Sequence, residues 1–337
     1  MTKQILFPIS LFVLSCICFN PLSFANTQEN QDFLLAQAQA KSNPYSTDQL
    51  SALKDAQQAA EFANPTTSPS LNGEIPDWLK RTNYAAYVGT DQRPIYYLET
   101  VQPLYQSADK IDTVFTHTRV SIMDGRGTYS PGLGYRRLVF NNNLMLGVNT
   151  FFDYQDLHRE YRQGVGLEAI TQTAELRVNS YFDLSPVRTI SDDGNTTVFE
   201  KVVNGGDVEI GTPVPYLPWI KIFGSYYRYA YRYTSDMSGW QERVQFSPFP
   251  FTTINFITSE DNAGPREYRM DGRITLRFDT LTLKSLLSMF KFTQTAYPSV
   301  DLSTRTLDRV ERNFNIQTER WSTSKSSPGV TVEIGRT

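Results

Sequence analysis

The stretch Leu144–Tyr154, which reads L-M-L-G-V-N-T-F-F-D-Y, decides the class of fold. Every second residue from Leu146 to Tyr154 is Leu, Val, Thr, Phe or Tyr, whereas the residues between them are Gly, Asn, Phe and Asp. A period of two places successive side chains on opposite faces of the chain, which is typical of a β-strand. One face of this strand is therefore mainly apolar and aromatic, and the other is largely small or polar.

The same alternation recurs in other segments, among them Tyr161–Ala169, Ala174–Leu184 and Glu267–Phe278. Their polar faces carry Gly, Arg, Glu, Asn and Asp. Segments of about ten residues that alternate in this way, joined by turn residues, are typical of a membrane β-barrel with lipid outside and a polar lumen inside. A cation facing lipid at mid-membrane would cost roughly 2–4 kcal/mol, so these charged side chains must face water or one another.

Twelve candidate strands follow from this pattern and predict an all-β fold, a 12-stranded antiparallel transmembrane β-barrel of the outer-membrane type. They are Arg81–Thr90, Arg93–Tyr105, Thr113–Met123, Arg126–Leu138, Leu144–Tyr154, Tyr161–Thr171, Thr173–Leu184, Gly206–Thr212, Trp219–Tyr231, Gly239–Phe249, Phe251–Ser259 and Glu267–Phe278. The longest connection, Ser185–Gly205, and most of the other long charged connections are odd-numbered. Short periplasmic turns opposite longer extracellular loops give that alternation, and an even strand number returns both barrel ends to the periplasm.

Composition supports an exported β protein. The chain of 337 residues has a formal net charge of -3 and no long basic run, which excludes nucleic acid as an electrostatic partner. Its 19 Tyr and 21 Phe suit β structure and the aromatic girdles of a membrane barrel. After the N-terminal segment, no stretch approaches the roughly 18 consecutive apolar residues of a transmembrane helix, so the chain is either a barrel or a soluble secreted β protein.

Residues 1–25 have the features of a signal peptide, with a positive n-region and an apolar core before the small-x-small site Ser23-Phe24-Ala25. Cleavage is therefore expected after Ala25. The alternative is a lipoprotein signal, because Val13-Leu14-Ser15-Cys16 is a poor lipobox. Both cysteines, Cys16 and Cys18, lie in this segment, so the mature chain would have no disulfide and no thiolate metal site.

The rest of the chain divides where its composition changes. Residues 26–77 form a polar, partly helical leader in the periplasm, with a capping box at Ser46-Thr47-Asp48-Gln49; the alternative is a poorly ordered leader. The barrel is predicted over 78–279. Residues 280–321 form a linker and a terminal segment, of which Leu281–Phe292 is either a short helix or a thirteenth strand, and 322–337 form a flexible tail.

Six runs in this sequence carry a family resemblance: Gly132–Arg137, Leu146–Tyr154, Gly164–Glu168, Val178–Phe182, the proline-bracketed turn Pro215–Pro218 and Leu307–Ile316. In this order they resemble the translocator barrel of the intimin/invasin family, the inverse autotransporters. The resemblance covers about Trp78–Trp321 and implies a twelve-stranded barrel in the outer membrane of a Gram-negative bacterium. It also implies that the chain after the last strand, Asp279–Asp301, turns back and threads the pore outward, so that the following segment reaches the cell surface.

Members of this family carry long tandems of immunoglobulin-like and lectin-like adhesive domains after the barrel. Here the sequence stops about sixteen residues after Trp321, so the expectation is a translocator without a large passenger. The expected partners are outer-membrane lipid, periplasmic chaperones and the barrel-assembly machinery, with a surface or host partner left open. No cofactor is expected.

Twelve polar residues are expected to face the lumen and to contact the pore or the linker: Arg136, Asn149, Asp153, Arg162, Glu168, Glu175, Arg177, Asp183, Arg269, Asp271, Arg273 and Arg277. One interpretation is a charged wall that holds the threaded segment by hydrogen bonds and tunes conduction. The alternative is mutual salt bridging that only solvates the lumen. Five lumen-facing glycines are expected to leave room for the segment: Gly132, Gly134, Gly147, Gly164 and Gly166.

Catalytic and metal motifs are weak in this sequence. The two histidines, His117 and His158, fall in a strand and a loop, so neither a catalytic triad nor a zinc site is expected. Gly164-Val165-Gly166 precedes no lysine and opens no helix, which argues against a phosphate loop. The leading hypothesis is an inverse-autotransporter-type barrel that places its own C-terminal segment at the surface. The alternative is a porin-like channel with a periplasmic tail, and an outer-membrane enzyme is disfavoured because no Ser/His/Asp arrangement is visible.

Overall fold

Twelve antiparallel strands close into a barrel in the computed structural model, which describes residues 76–90, 93–249, 251–275, 292–325 and 330–333. A single-turn helix, α1 (Asp77–Lys80), precedes the barrel. The barrel strands are β1 (Thr82–Gly89), β2 (Ile95–Gln106), β3 (Asp112–Met123), β4 (Arg126–Val139), β5 (Leu144–Gln155), β6 (Glu160–Thr171), β7 (Glu175–Asp183), β10 (Asn204–Val214), β11 (Leu217–Ala230), β12 (Met237–Phe249), β13 (Thr252–Asp261) and β14 (Gly264–Thr275). The prediction of a twelve-stranded antiparallel barrel is confirmed.

The barrel closes where β1 pairs with β14, with Asn83 opposite Thr275 and Gly89 opposite Arg269. Every barrel strand therefore has a neighbour on both sides, which satisfies the backbone hydrogen bonds that an open sheet edge would leave exposed to lipid. The predicted strands differ from the observed ones by at most three residues at the described ends. Of the described residues, no helix is long and apolar enough to span a membrane.

Alternating burial confirms the period of two in the sequence. In β5, Asn149, Phe151 and Asp153 are buried, whereas Leu146 and Phe152 are 44% and 40% exposed. The exposed apolar face points away from the lumen, where lipid can cover it. On this outer face Tyr154 stacks against Tyr129 and Tyr161, at ring-centroid distances of 6.2 Å and 5.0 Å.

A second sheet lies at one end of the barrel. The connection between β7 and β10 contains a hairpin, β8 (Arg188–Asp192) and β9 (Thr196–Val202), and later residues add β15 (Thr318–Ser324) and β16 (Val330–Glu333) in the order β16-β15-β9-β8. We call this the hairpin end, and the opposite end, which carries the β4–β5 and β10–β11 turns, the turn end. The sequence gives Ser185–Gly205 only as the longest connection, whereas the structure contains a hairpin there, with a turn at Gly194, whose φ is +83°.

The described chain after the barrel, from residue 292, makes contacts at the turn end and, further along, pairs with β9 at the hairpin end. Backbone bonds join Tyr216, in the β10–β11 turn, to Ala296 and Thr293, at 2.8 Å and 3.0 Å. A 3-10 helix follows at Leu302–Arg305, capped by Asp301; hydrogen bonds from the Ser303 backbone N–H and hydroxyl hold the pKa of that carboxyl below its usual value. Residues 302–317, here called the lumen segment, precede β15.

Within the predicted flexible tail over 322–337, Val330–Glu333 form β16 and pair with β15, while residues 326–329 and 334–337 lie outside the described residues. The predicted signal peptide with its cleavage site at Ala25 and the leader up to residue 75 lie outside the described residues. The same holds for residues 276–291, which include Arg277 and most of the predicted helix or thirteenth strand.

Candidate functional site

The buried face of the barrel contacts the lumen segment at several levels. Nearest the turn end, Leu302 packs among Leu138, Met145 and Ile170. One level further, the fully buried Arg136 donates from Nη1 to the carbonyl oxygens of Thr306 at 3.0 Å and Asp308 at 2.5 Å. Glu168 holds this guanidinium in place, since it accepts from Arg136 Nε at 2.6 Å. The barrel wall therefore bonds to the main chain of the segment through its carbonyl oxygens.

A buried three-residue ion cluster lies at mid-lumen. Asp153 accepts from Arg162 Nε at 2.8 Å and from both terminal nitrogens of Arg312, at 3.1 Å and 2.7 Å. The terminal nitrogens of Arg162 donate to the carbonyl oxygens of Asn313 and Asn315, each at 2.8 Å. Two cations thus share one carboxylate, and one of them also holds the backbone of the segment.

The remaining wall supplies further ion pairs to the segment. Glu175 accepts from Arg305 at 2.9 Å, and Lys221 donates to the same carboxylate at 2.7 Å. Arg309 lies 3.2 Å from Glu99, and Glu311 lies 3.4 Å from Arg273. Charged residues of the segment therefore meet opposite charges on the strands, which is the arrangement that makes buried charges tolerable.

An apolar core fixes the segment between these charges. Val310 and Phe314 pack with Val101, Phe115 and Phe151 of the wall. The Phe314 ring meets the Phe151 ring edge-on, with centroids 5.6 Å apart.

His117 borders this core and bonds to the segment. Its ring lies 5.7 Å from the Phe314 ring, and its Nδ1 accepts from the Val310 N–H at 3.3 Å. Because Nδ1 is the acceptor, the ring proton lies on Nε2, which points to Glu99 at 3.5 Å. This histidine therefore has a positioning contact with the segment backbone.

The structure brings five of the predicted lumen residues into contact with the segment: Arg136, Asp153, Arg162, Glu175 and Arg273. Four others are buried in the lumen, of which Glu168, Arg177 and Asp271 bond other strand residues and Asn149 lies against Gly166. Asp183 lies at the hairpin end, 2.7 Å from Lys201, and Arg269 donates to Gln241 at 2.5 Å. The prediction therefore separates into residues that touch the segment and residues that pair within the wall.

Several contact residues were not predicted. On the wall these are Glu99, His117 and Tyr181, and in the segment Arg305, Arg309, Glu311, Arg312 and Asn313. Glu209 and Arg243, which were not predicted either, pair with each other within the wall. The sequence contains a pattern that predicts Glu99 as a lumen residue, because Glu99 lies between Tyr97 and Val101 on the same face of β2. In the segment, the high density of charged residues at 305–312 is the pattern that predicts contacts with a charged wall.

The five glycines make room mainly for wall side chains. A Cβ on Gly164 would lie 2.5 Å from Nη2 of Arg312, so this glycine does clear space for the segment. At Gly132 and Gly134 the obstacles are the rings of Phe151 and Phe115. At Gly147 and Gly166 they are Glu168 and two asparagines, Asn149 and Asn179. The expectation of clearance for the segment therefore fits Gly164, whereas at the other four glycines the space is taken by side chains of the wall.

Replacing Gly134 by alanine should destabilise the barrel by about 1–3 kcal/mol, because the new methyl group would lie 2.3 Å from the fully buried Phe115 ring. The measurement is urea unfolding of the barrel refolded in lipid vesicles, followed by tryptophan fluorescence. Gly224→Ala is the matched control, since nothing lies within 4 Å of its Cβ position on β11. Equal stability losses in the two variants would contradict this account.

Among the described residues, no three His, Cys, Asp or Glu side chains lie together as metal ligands. The two histidines make different contacts. His117 contacts the lumen segment, and His158 pairs with Glu200 at the hairpin end.

A closed twelve-stranded barrel with a chain segment held against its buried face calls for comparison with known barrels. The family model of the inverse autotransporter β-domain matches residues 36–314. The chain belongs to the inverse autotransporter family. This inverse autotransporter barrel is therefore a protein of the Gram-negative outer membrane, with lipid around its exposed apolar face.

Two curated relatives agree with this assignment. Invasin of Yersinia enterocolitica is 27% identical over 284 residues, which are 77% of this chain and 32% of Invasin. The inverse autotransporter adhesin YeeJ of Escherichia coli K12 is 26% identical over 235 residues, which are 64% of this chain and 10% of YeeJ. The inverse autotransporter described here thus spans about a third of one relative's length and a tenth of the other's.

A solved structure from a study of the in-meso crystallization of membrane proteins has the same fold. It aligns with a TM-score of 0.56 at 21% identity and covers 71% of this inverse autotransporter and 99% of that chain.

Proposed function

We propose that this barrel acts as an inverse-autotransporter translocator that holds residues 302–317 in its lumen and so places the chain beyond them at the cell surface. The observation that carries the proposal is the continuous series of contacts from Leu302 to Asn315 along the buried face. These contacts begin near the turn end and are followed by β15 at the hairpin end, which supports a path through the lumen.

The orientation rests on the lengths of the connections. Outer-membrane barrels keep short turns in the periplasm and long loops outside. The β7–β10 connection, which contains β8 and β9, is at the hairpin end, so that end would face the exterior and the turn end the periplasm. The predicted signal peptide ending at Ala25 and the polar leader fit this direction, as do periplasmic chaperones and the barrel-assembly machinery as partners during insertion.

A second set of contacts supports an outward exit. Strand β15 pairs with β9 from Thr318 opposite Val202 to Ser324 opposite Thr196. The buried Glu319 accepts from the backbone N–H groups of Arg232 and Tyr233, at 2.9 Å and 2.8 Å, in the β11–β12 connection. Two connections of the hairpin end thus hold the chain as it leaves the lumen.

An epitope tag fused after Thr337 should be labelled by antibody on intact cells. A tag inserted at Asn142, in the β4–β5 turn, is the matched control and should be labelled only after permeabilisation, because that turn is at the opposite end. If the Thr337 tag also needs permeabilisation, the segment does not exit as proposed.

A porin-like channel with a periplasmic tail is the outcome that would replace this function. A porin would give a large, steady conductance in planar bilayers that does not change when residues 279–337 are deleted. The translocator with its lumen segment in place should instead conduct more after the deletion, since the segment fills one side of the lumen.

A further inference from the structure

A cavity of about 460 Å³ remains beside the lumen segment. The segment packs toward β3–β7 through its apolar core and its ion cluster, and the cavity lies on the other side of the lumen. Its lining includes Tyr97, Arg119 and Asn255 from the wall and Phe314 from the segment. A volume of this size lies in the range that small-molecule sites occupy, roughly 300–1,000 Å³.

Arg119 lines this cavity with an unusual set of neighbours. Arg119 is 8% exposed, and its guanidinium carbon lies 3.6 Å from the centroid of the Tyr97 ring and 4.5 Å from the centroid of the Phe314 ring. Its Nε has no hydrogen-bond partner in the part of the chain that the structure describes, and no described carboxylate forms an ion pair with it. The two rings hold the cation in place, but neither supplies an acceptor in the plane of its N–H groups.

The other buried arginines of the lumen differ from Arg119, since each of them has a carboxylate partner. They are Arg136, Arg162, Arg177, Arg243, Arg273 and Arg312, and the partly buried Arg309 has a carboxylate partner as well. Glu99 lies opposite Arg119 in the β2–β3 pairing, but its carboxylate pairs with Arg309 instead. A buried charge without a direct partner is costly, so water or an anion that reaches Arg119 would stabilise it.

A second arginine, Arg269 of β14, also lines this cavity. Arg269 of β14 donates to the neutral amide oxygen of Gln241, and its Nε has no hydrogen-bond partner among the described residues. Arg119 belongs to β3, and the strand order β14-β1-β2-β3 places two strands between the two arginines.

Acidic side chains also line the cavity, and two of them, Asp271 and Asp207, already have hydrogen-bond donors. Asp271 accepts from the Tyr97 hydroxyl at 2.7 Å and from the Asn255 amide at 2.8 Å. Asp207 accepts from the Tyr181 hydroxyl at 2.6 Å and from the Asn179 amide at 2.8 Å. The unused hydrogen-bonding capacity of Arg119 and Arg269 therefore consists of donors, which calls for an acceptor ligand.

We propose that this cavity binds a small oxyanion, a carboxylate or a phosphate group, on Arg119, with Arg269 adding positive charge to the same cavity. The planar fork of arginine suits both groups, because two parallel N–H groups match two oxygens. Phe314 of the segment forms one wall of the site, so the bound oxyanion and the seated segment stabilise each other by linkage.

The test is isothermal titration calorimetry of the full chain, folded in detergent, with inorganic phosphate and separately with acetate at constant ionic strength. We expect saturable binding of at least one of the two anions, and the tighter anion assigns the group. Arg119→Gln should weaken binding about tenfold or more, because it removes a charge-assisted contact. The matched control is Arg266→Gln, an exposed arginine of β14 paired with Glu260, which should leave the affinity unchanged.

Heat-modifiable migration on a gel checks that each variant is folded. Should Arg119→Gln fail to fold, Arg119→Lys, which keeps the charge without the fork, and Arg269→Gln take its place, and each should bind severalfold more weakly. The proposal is overturned when the wild-type chain binds neither anion saturably, or when folded variants at Arg119 and Arg269 bind as tightly as the wild type.

Discussion

Replacing Asp153 by asparagine should lower the free energy of unfolding of the barrel by about 3–5 kcal/mol, the range for breaking a buried ion pair. Arg162 and Arg312 both pair with this carboxylate, and all three side chains are buried. Without the negative charge, two cations would remain close together inside the lumen. Urea unfolding in lipid vesicles, followed by tryptophan fluorescence, measures the loss.

Asp236→Asn is the control for this substitution. Asp236 pairs with Arg228 at 2.7 Å at the hairpin end, but that arginine side chain is largely exposed, so the loss should stay below about 1 kcal/mol. Equal losses in the two variants would mean that the mid-lumen cluster adds nothing beyond a surface ion pair.

Replacing Phe314 by alanine should cost about 3–5 kcal/mol and loosen the lumen segment. The ring packs in the core with Phe151 and Val101, and three arginine guanidinium groups, those of Arg119, Arg309 and Arg312, lie within 6 Å of its centre. Planar-bilayer recordings should show a larger and noisier conductance as the segment moves, and urea unfolding gives the change in stability.

Phe292→Ala provides the comparison, since Phe292 is 74% exposed and precedes the lumen segment. Its conductance should match that of the wild type, and its stability should change by less than about 1 kcal/mol. An unchanged conductance in Phe314→Ala, with the stability loss present, would show that the ring supports the barrel without holding the segment.

The strands were predictable because the surroundings impose a local rule. With lipid on one side and a polar lumen on the other, each strand repeats the same alternation, as in Leu144–Gln155, so a window of about ten residues is enough to find it. The face of the wall on which each charged residue lies follows from the same rule, so the sequence places residues such as Arg136 and Arg162 in the lumen without information on their partners.

The partners of those residues were not predictable, because pairing joins distant parts of the chain. Glu99 meets Arg309 and Asp153 meets Arg312 only once the barrel has closed and the segment lies inside it. The hairpin β8–β9 was missed for a different reason, since a long connection with a glycine turn is also typical of an exposed loop.

Two wall arginines recognise the one feature that all polypeptides share. Arg136 and Arg162 donate to four carbonyl oxygens, those of Thr306, Asp308, Asn313 and Asn315. A main-chain carbonyl is the same for every amino acid, so these four bonds are indifferent to the side chains they hold. Sequence specificity therefore depends on a few side chains between these bonds, such as those of Phe314 and Arg312. The main-chain bonds themselves would hold segments of many different sequences.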